Sequence, residues 1–324
     1  MAHDLTIRED GYTEMAFVGD TPWHGLGQEL VEGASIDNWR VAAGMDWSLE
    51  SYPVQYASFN PDGSMATHTY QGQNVLYRSD NKEAMSVVSD RYKPVQPADV
   101  LGFFKDLVED AGFKLHTAGT LRGGRRLWAL AETGKYGEVC KDDGVGGFLL
   151  LSTSCDKSLS TTARFTSVRV VCNNTLTLAH EDKRSVVKVP HSAVFDPEKV
   201  KVELGNVAES FGSFMAMARH LQEIKMNATT ASSFVQALVK PYAQMKDDSV
   251  DLTKNRAYQS IMALFDGGAK GSELVGHTRW GMLNAVTEYY DHFNPSRNSD
   301  YRLDNAWFGT GELIKARAVE LLTA

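Results

Sequence analysis

The hydrophobic pattern of this chain changes its period near residues 190–197, and this change constrains the fold more than any other feature. Before it, apolar residues alternate in short runs between turn residues, which predicts β-strands. After it, apolar residues recur at spacings of four and three from Val200 through Phe211 to Leu221, which predicts a helix with one buried face. The chain is therefore expected to have an α+β fold, with an antiparallel sheet followed by an α-helical C-terminal region.

The N-terminal part is predicted to be mostly strand, after about 30 irregular residues. Ser35 is expected to cap a short helix that ends near Gly44. A second helix, over residues 97–112, is expected to cross the sheet. The predicted strands cover residues 52–56, 65–70, 74–78, 86–88, 115–121, 125–132, 147–154 and 167–178.

The C-terminal part is predicted to contain five helices. They cover residues 197–224, 227–241, about 258–268, 280–293 and about 312–322. The sequence thus divides into a sheet domain at residues 1–192 and a helical region at residues 193–324. This division is either a boundary between two domains or a sheet-to-helix boundary inside one integrated domain.

The charge of the chain excludes a general binder of polyanions. The formal net charge is −8, from 33 basic and 41 acidic residues. Residues 1–97 hold 6 basic and 14 acidic residues, whereas residues 115–190 hold 11 basic and 7 acidic residues. Any anionic partner is therefore expected at residues 115–190, because the N-terminal part would repel it.

The cysteines and the apolar runs indicate a soluble protein of the cytoplasm, with no membrane partner. The three cysteines are an odd number without a CxxC motif, which is typical of a reducing compartment. The first ten residues are acidic where a signal peptide is basic and then apolar. The longest aliphatic run, residues 148–151, is far shorter than the roughly 20 residues of a membrane helix.

Motifs of catalysis and cofactor binding are missing from the sequence, so no catalytic residue, cofactor or metal is predicted. Ser154 and Lys157 fit the S-x-x-K pattern of acyl-serine enzymes, but both partner motifs of that class are missing. His277 and the pair Asp291-His292 could supply metal ligands, yet isolated helix histidines are more often structural groups. The sequence favours a protein that is not an enzyme.

A basic segment with interleaved aromatic residues is the candidate site for nucleic acid. Guanidinium groups bind phosphates and aromatic rings stack on bases, so this composition is typical of a single-strand platform. The alternative is an ordinary solvated sheet face with a charged hairpin. The candidate residues are Arg122, Arg125, Arg126, Trp128, Lys157, Arg164 and Phe165.

A polar cluster interrupts the apolar strand predicted at residues 167–178 and forms a second candidate site. One interpretation is a pocket for a phosphate or base, in which the Arg169 guanidinium binds the anion through two nitrogens. The other is that a carboxylate or backbone carbonyls pair with a buried Arg169, while the Asn and Thr side chains cap a strand or helix end. The residues of this candidate pocket are Arg169, Asn173, Asn174, Thr175 and His191.

Five ordered motifs make the chain resemble a family known as phage/plasmid-like proteins. The motifs lie at residues 23–27, 88–92, 169–176, 190–191 and 284–292. The resemblance spans nearly the whole chain and implies a setting in phages, plasmids and integrated elements of a bacterial host. One departure is that Ser154-Cys-Asp-Lys-Ser158 stands where the family has Ser-His-Asp-Gly-Ser. A catalytic role for this turn is therefore disfavoured.

The leading expectation is an oligomeric single-stranded-DNA-binding or annealing protein of recombination or replication. The mobile-element setting that the resemblance implies favours a role in DNA metabolism. Sheet-plus-helix cores also occur in phage annealing proteins, which work as rings or filaments. The first alternative is a small-ligand or nucleotide-binding enzyme that uses the polar pocket around Arg169. The second is an acidic protein that binds a host factor by mimicking DNA.

Overall fold

The computed structural model has the expected α+β class, with a helical C-terminal region. It describes residues 6–19, 26–102, 113–169, 171, 174–176, 186–189, 207–242, 251–296 and 300–324. The strands are β1 Met15–Val18, β2 Gln28–Leu30, β3 Leu49–Phe59, β4 Met65–Arg78, β5 Ala84–Ser89, β6 Lys114–Leu121, β7 Arg126–Glu138, β8 Gly144–Ser154, β9 Thr161–Arg169, β10 Asn174–Leu176 and β11 Val186–Val189.

The main sheet has the strand order β10-β9-β8-β7-β6-β1-β2, and β11 pairs with β9 outside this order. Its pairs are antiparallel except that of β1 with β2, which is parallel. The sheet is therefore mixed. The antiparallel arrangement predicted from the sequence is confirmed for every pair of these strands except β1 with β2. Both strands of this parallel pair lie in the first 30 residues. The sequence predicted this segment to be irregular, because runs of three and four residues are too short to show a period.

A separate sheet of three antiparallel strands has the order β3-β4-β5. Residues 65–70 and 74–78, predicted as two strands, form the single strand β4. The predicted strand at 167–178 is instead two: β9 ends at Arg169 and the antiparallel β10 begins at Asn174. This prediction was wrong because two antiparallel strands that follow each other closely in the chain have the same residue pattern as one longer strand.

The helices agree with most of the sequence predictions. Ser35 caps α1, and its Oγ accepts a hydrogen bond from the Asn38 N–H at 3.2 Å. Residues 97–102 are helical, and the rest of the predicted 97–112 helix lies outside the described residues. The helices are α1 Ile36–Ala42, α2 Val207–Glu223, α3 Ala228–Val239, α4 Arg256–Ala263, α5 Ser272–Val275, α6 Arg279–Glu288, α7 Asp300–Phe308 and α8 Thr310–Thr323.

The long helix predicted at residues 197–224 is described from Val207 onward as α2. It is continuous there, and its predicted apolar face is buried at Phe211, Phe214, Ala218 and Leu221. Residues 197–206 lie outside the described part of the chain. Two helices, α5 and α7, were not predicted, because each is short and follows turn-forming residues.

The main sheet is covered on both faces. One face packs against α1 and the three-stranded sheet near β6 and β7, and against the C-terminal helices near β9. The other face packs against α7 through Trp128, Leu150, Ala306 and Trp307. In the part of the chain that the structure describes, no helix has the length and apolar character needed to cross a membrane.

Candidate nucleic-acid interface

The hairpin predicted around residues 122–125 is confirmed and joins β6 to β7. Arg122, Gly123 and Gly124 have φ angles of 57°, 67° and 86°, a left-handed conformation that glycine adopts without strain. This tight turn presents Arg122 and Arg125 at the border between the main sheet and β5.

Arg125 is partly exposed and binds the free edge of β5. Its guanidinium donates hydrogen bonds to the carbonyl oxygens of Met85 and Ala84. It also forms an ion pair with Glu83, with 3.2 Å between Nη2 and Oε1. One predicted phosphate ligand therefore lies at the surface but already has local partners.

Lys157 and Arg122 are the other two predicted cations with access to solvent. Lys157 is exposed and donates through Nζ to the Val87 carbonyl of β5 at 2.5 Å. Arg122 is partly exposed, with its guanidinium carbon 4.9 Å from the centre of the Tyr301 ring and Nη1 3.8 Å from Asp304. A long cationic side chain can leave such surface partners at low cost.

Two further exposed cations that the sequence analysis missed lie on the segment that follows β5, the strand to which Arg125 and Lys157 donate. Arg91 and Lys93 are exposed and follow β5 directly. Tyr92, between them, packs against the core cluster that contains Cys155, two residues before Lys157. Both residues lie in or next to the 88–92 motif, which is the signal that could have found them. We call Arg91, Lys93, Arg122, Arg125 and Lys157 the basic ridge.

Two predicted arginines are buried and paired inside the protein. Arg126 forms an ion pair with Asp304. Arg164 forms an ion pair with Glu312 and donates to the Trp307 carbonyl oxygen. Burial lowers the pKa of both guanidinium groups from their ordinary value. Neither is accessible to a phosphate in this conformation.

The two predicted stacking residues are core residues. Trp128 is 1% exposed and packs edge-on against Trp307, with 5.0 Å between ring centres. Phe165 is buried on the opposite face of the sheet, 6.3 Å from Phe211. The structure therefore keeps both rings away from solvent, and the seven predicted residues do not form one surface.

The unpredicted helix α7 explains the burial of Arg126, Arg164 and Trp128. It lies over the sheet face that carries Arg126 and Trp128, and it presents Asp304 to Arg126. Burial raises the pKa of the Asp304 carboxyl above its ordinary value. A basic sheet face in the sequence is thus an internal contact with a helix in the fold.

The second candidate site contains a buried ion pair. Arg169 is 3% exposed, and its Nε donates to Asp143 at 2.5 Å. Its two other nitrogens donate to the carbonyl oxygens of Lys270 and Gly271 at 2.9 and 3.0 Å. The Trp280 indole donates to the second Asp143 oxygen at 2.8 Å. The prediction that Arg169 is buried against a carboxylate and carbonyls is confirmed.

Thr175 belongs to a neighbouring buried network that joins two of the recognisable motifs. Its N–H donates to Asp291 at 2.7 Å, and its hydroxyl accepts from the Trp307 indole at 2.7 Å. Lys315 donates to Asp291 at 2.6 Å and to the Thr175 carbonyl at 2.8 Å. The 169–176 and 284–292 motifs therefore meet at the junction of β10 with the C-terminal helices.

The cavity beside Arg169 has a volume of about 10 Å³, which is about the space that one water molecule needs. Asn284 and Thr287 line it together with Arg169. Asn174 lies in β10 opposite Arg169, whereas Asn173 and His191 lie outside the described residues. The described part of this site is a packed polar joint between sheet and helices.

A metal site was not predicted. Among the described ranges, no group of three or more His, Cys, Asp or Glu side chains is placed to hold an ion.

Glu288 gives this polar joint a pH dependence that can be tested. Burial raises the pKa of its carboxyl, which accepts hydrogen bonds from the Lys270 N–H. The folded protein therefore holds a proton that the unfolded chain releases, and the free energy of unfolding falls as pH rises through the raised pKa. We expect Glu288→Gln to gain stability relative to the wild type from pH 4 to pH 8, a range that begins below the ordinary glutamate pKa of 4.5. Urea unfolding at both values measures this, and an equal effect at both would contradict it.

Comparison with known proteins gives one assignment. No curated protein and no solved structure matches the chain. A family model described as a domain of unknown function, DUF932, matches residues 84–307, which are 224 of the 324 residues. The match begins at β5 and includes the basic ridge and both polar networks except Lys315. The chain therefore belongs to the DUF932 family, whose function is unknown.

Proposed function

We propose that this protein binds single-stranded DNA as an oligomer, in the recombination or replication of a phage or plasmid. The observation that carries the proposal is the basic ridge, which keeps five cationic side chains at the surface of an acidic chain. Three of them, Arg122, Arg125 and Lys157, come from the segment in which the sequence places its positive excess.

The ridge is suited to phosphates and not to bases. Trp128 and Phe165 are buried, so binding would depend on contacts of cations with the sugar-phosphate backbone. Such contacts carry no sequence information and weaken steeply as salt rises. The proposed activity is therefore sequence-independent and salt-sensitive.

Assembly is part of the proposal because one ridge is a weak site. Glu83 and Asp304 already pair with ridge arginines, and the net charge of −8 opposes an approaching polyanion. Several ridges on one strand would raise the affinity through effective concentration, without any new contact.

The alternative of a ligand site at Arg169 has less support. Three of its nitrogens are already hydrogen-bonded, and the adjacent cavity is the size of one water molecule. A phosphate or a base would have to displace Asp143 or the loop at Lys270.

The proposal is tested by reversing three ridge charges at once, with Arg122→Glu, Arg125→Glu and Lys157→Glu. Arg126 is left unchanged because it is buried and its replacement would disturb the fold. We expect a loss of affinity of at least about tenfold for a labelled oligonucleotide at low salt, since three phosphate contacts become repulsive. Fluorescence anisotropy measures this loss.

The matched control reverses three exposed cations away from the ridge, with Lys114→Glu, Arg219→Glu and Lys254→Glu. Both variants have the same net charge, so only the position of the charges differs. We expect the control to retain affinity close to that of the wild type. Equal losses in the two variants would show that the ridge is not the binding surface.

A further inference from the structure

Residues 54–72 form a two-stranded ribbon, which we call the arm. The pairing of β4 with β5 ends at Gln73 and Ser89, so the arm extends beyond the three-stranded sheet. A two-stranded ribbon is only marginally stable by itself in water. Five large apolar or aromatic side chains are between 53% and 78% exposed: Tyr52 at the base of the arm, and Tyr56, Phe59, Met65 and Tyr70 on the arm itself.

The arm is almost uncharged, although the chain around it is acidic. Asp62, in the turn at its tip, is the only Asp, Glu, Lys or Arg in residues 51–73. The arm has no lysine or arginine to neutralise a phosphate, and its one histidine, His68, is hydrogen-bonded to the Ser58 hydroxyl. Nucleic acid is therefore a poor occupant. The chemistry of the arm fits another uncharged surface.

The two edge strands of the three-stranded sheet, β3 and β5, differ in the groups that bind their outer backbone. The free edge of β5 is blocked by Arg125 and Lys157, which donate to its carbonyl groups. In the described residues, the free edge of β3 has no strand partner. Pro53 removes one donor near its base, but residues 54–59 carry neither a proline nor a charge. Bare edges of this kind pair with other strands.

We propose that the arm binds the arm of a second copy of this chain, with β3 of one copy antiparallel to β3 of the other over residues 54–59. A two-fold axis makes this edge self-complementary, since each strand offers the other the same row of donors and acceptors. Charge favours the arm as the meeting point. Each chain has a net charge of −8, and a contact between two arms places almost no charged side chains of the two copies against each other.

This inference deepens the proposed function, because avidity on DNA requires assembly. It places the contact on β3 and leaves the basic ridge, beside the far edge of β5, free for DNA. Pairing of the two copies gives each ribbon the third strand that a stable sheet needs. It also covers the exposed rings near the edge.

The test places lysines on the arm with Tyr52→Lys, Tyr56→Lys and Phe59→Lys, because edge lysines oppose pairing. The matched control is Val31→Lys, Val41→Lys and Leu313→Lys, three exposed apolar residues elsewhere. We expect wild type and control to have masses above the monomer value of 35.8 kDa in light scattering or sedimentation. The arm variant is expected to be a monomer at the same concentration.

A second variant protects this test against a folding defect. Tyr52→Thr, Tyr56→Thr and Phe59→Thr keep high strand propensity while removing the rings, so this variant is also expected to lose assembly with unchanged far-UV circular dichroism. A monomeric wild type, or arm variants that assemble like the wild type, would overturn the proposal.

DNA binding is scored separately on the same samples. A wild type that binds oligonucleotides but is monomeric overturns only the arm interface, and one that assembles but ignores oligonucleotides overturns only the DNA function.

Discussion

Replacing Arg169 with alanine is expected to lower the free energy of unfolding by about 3–5 kcal/mol, the usual cost of removing one partner of a buried ion pair. The variant leaves the Asp143 carboxylate with the Trp280 indole but without its cation. The carbonyl oxygens of Lys270 and Gly271 lose their donors as well. Urea unfolding followed by circular dichroism measures the change.

Arg219→Ala is the control for this effect. Arg219 is exposed and donates only to the Glu138 carbonyl among its described contacts, so we expect a loss within about 1 kcal/mol. If Arg169→Ala were as mild as the control, Arg169 would not hold Asp143 in the folded protein. The candidate pocket would then again be open to an anionic ligand.

Replacing Trp128 with alanine is expected to cost about 3–5 kcal/mol, because it removes a buried aromatic side chain and leaves a cavity. The indole lies between Leu121 and Leu150 of the sheet and Trp307 of α7. Its loss should loosen α7 first, since Trp307 is its edge-on partner. The measurement is the unfolding midpoint together with hydrogen exchange of residues 300–308.

The comparison for Trp128 is Tyr136→Ala, which removes an aromatic ring from β7 that is 62% exposed. We expect this change to cost well under the loss at Trp128. A small effect at Trp128 would mean that the ring is accessible, and stacking on a base, as the sequence suggested, would regain support.

Much of the fold could be predicted from local pattern. The glycine turn at residues 122–125 predicted the hairpin of β6 and β7, and an apolar run predicted β8. Asn227 predicted the start of α3, whose capping box the structure contains. These elements are specified by neighbours within a few residues, which a sequence displays directly. The parallel pairing of β1 with β2 depends on contacts of very short strands, so no period in the sequence shows it.

The arginines show where sequence analysis of a site ends. Composition alone does not distinguish Arg125, which reaches the surface, from Arg126, its neighbour, which is buried against Asp304. The carboxylate partner lies 178 residues further along the chain, on a helix that the sequence did not predict. A basic segment therefore predicted where positive charge lies, and the fold decided which of those charges reach solvent.

The arm shows the opposite limit. Its strands were predicted from alternation, but alternation normally indicates one buried and one exposed face. In the structure both faces of the arm are largely exposed. The residue pattern of a strand indicates that one of its faces is apolar. It does not indicate whether the surface that packs against this face belongs to the same chain or to another one.

The salt dependence of oligonucleotide binding tests the central proposal most directly. Wild-type protein is titrated with a labelled single strand at several salt concentrations, beside the variant with Arg122, Arg125 and Lys157 changed to glutamate. We expect wild-type binding at low salt and a slope of log K against log salt that is shallower in the variant by about 0.7 for each phosphate contact removed, or roughly 2 in total. Wild-type protein that ignores oligonucleotides at low salt while assembled, or identical slopes for both proteins, would contradict it.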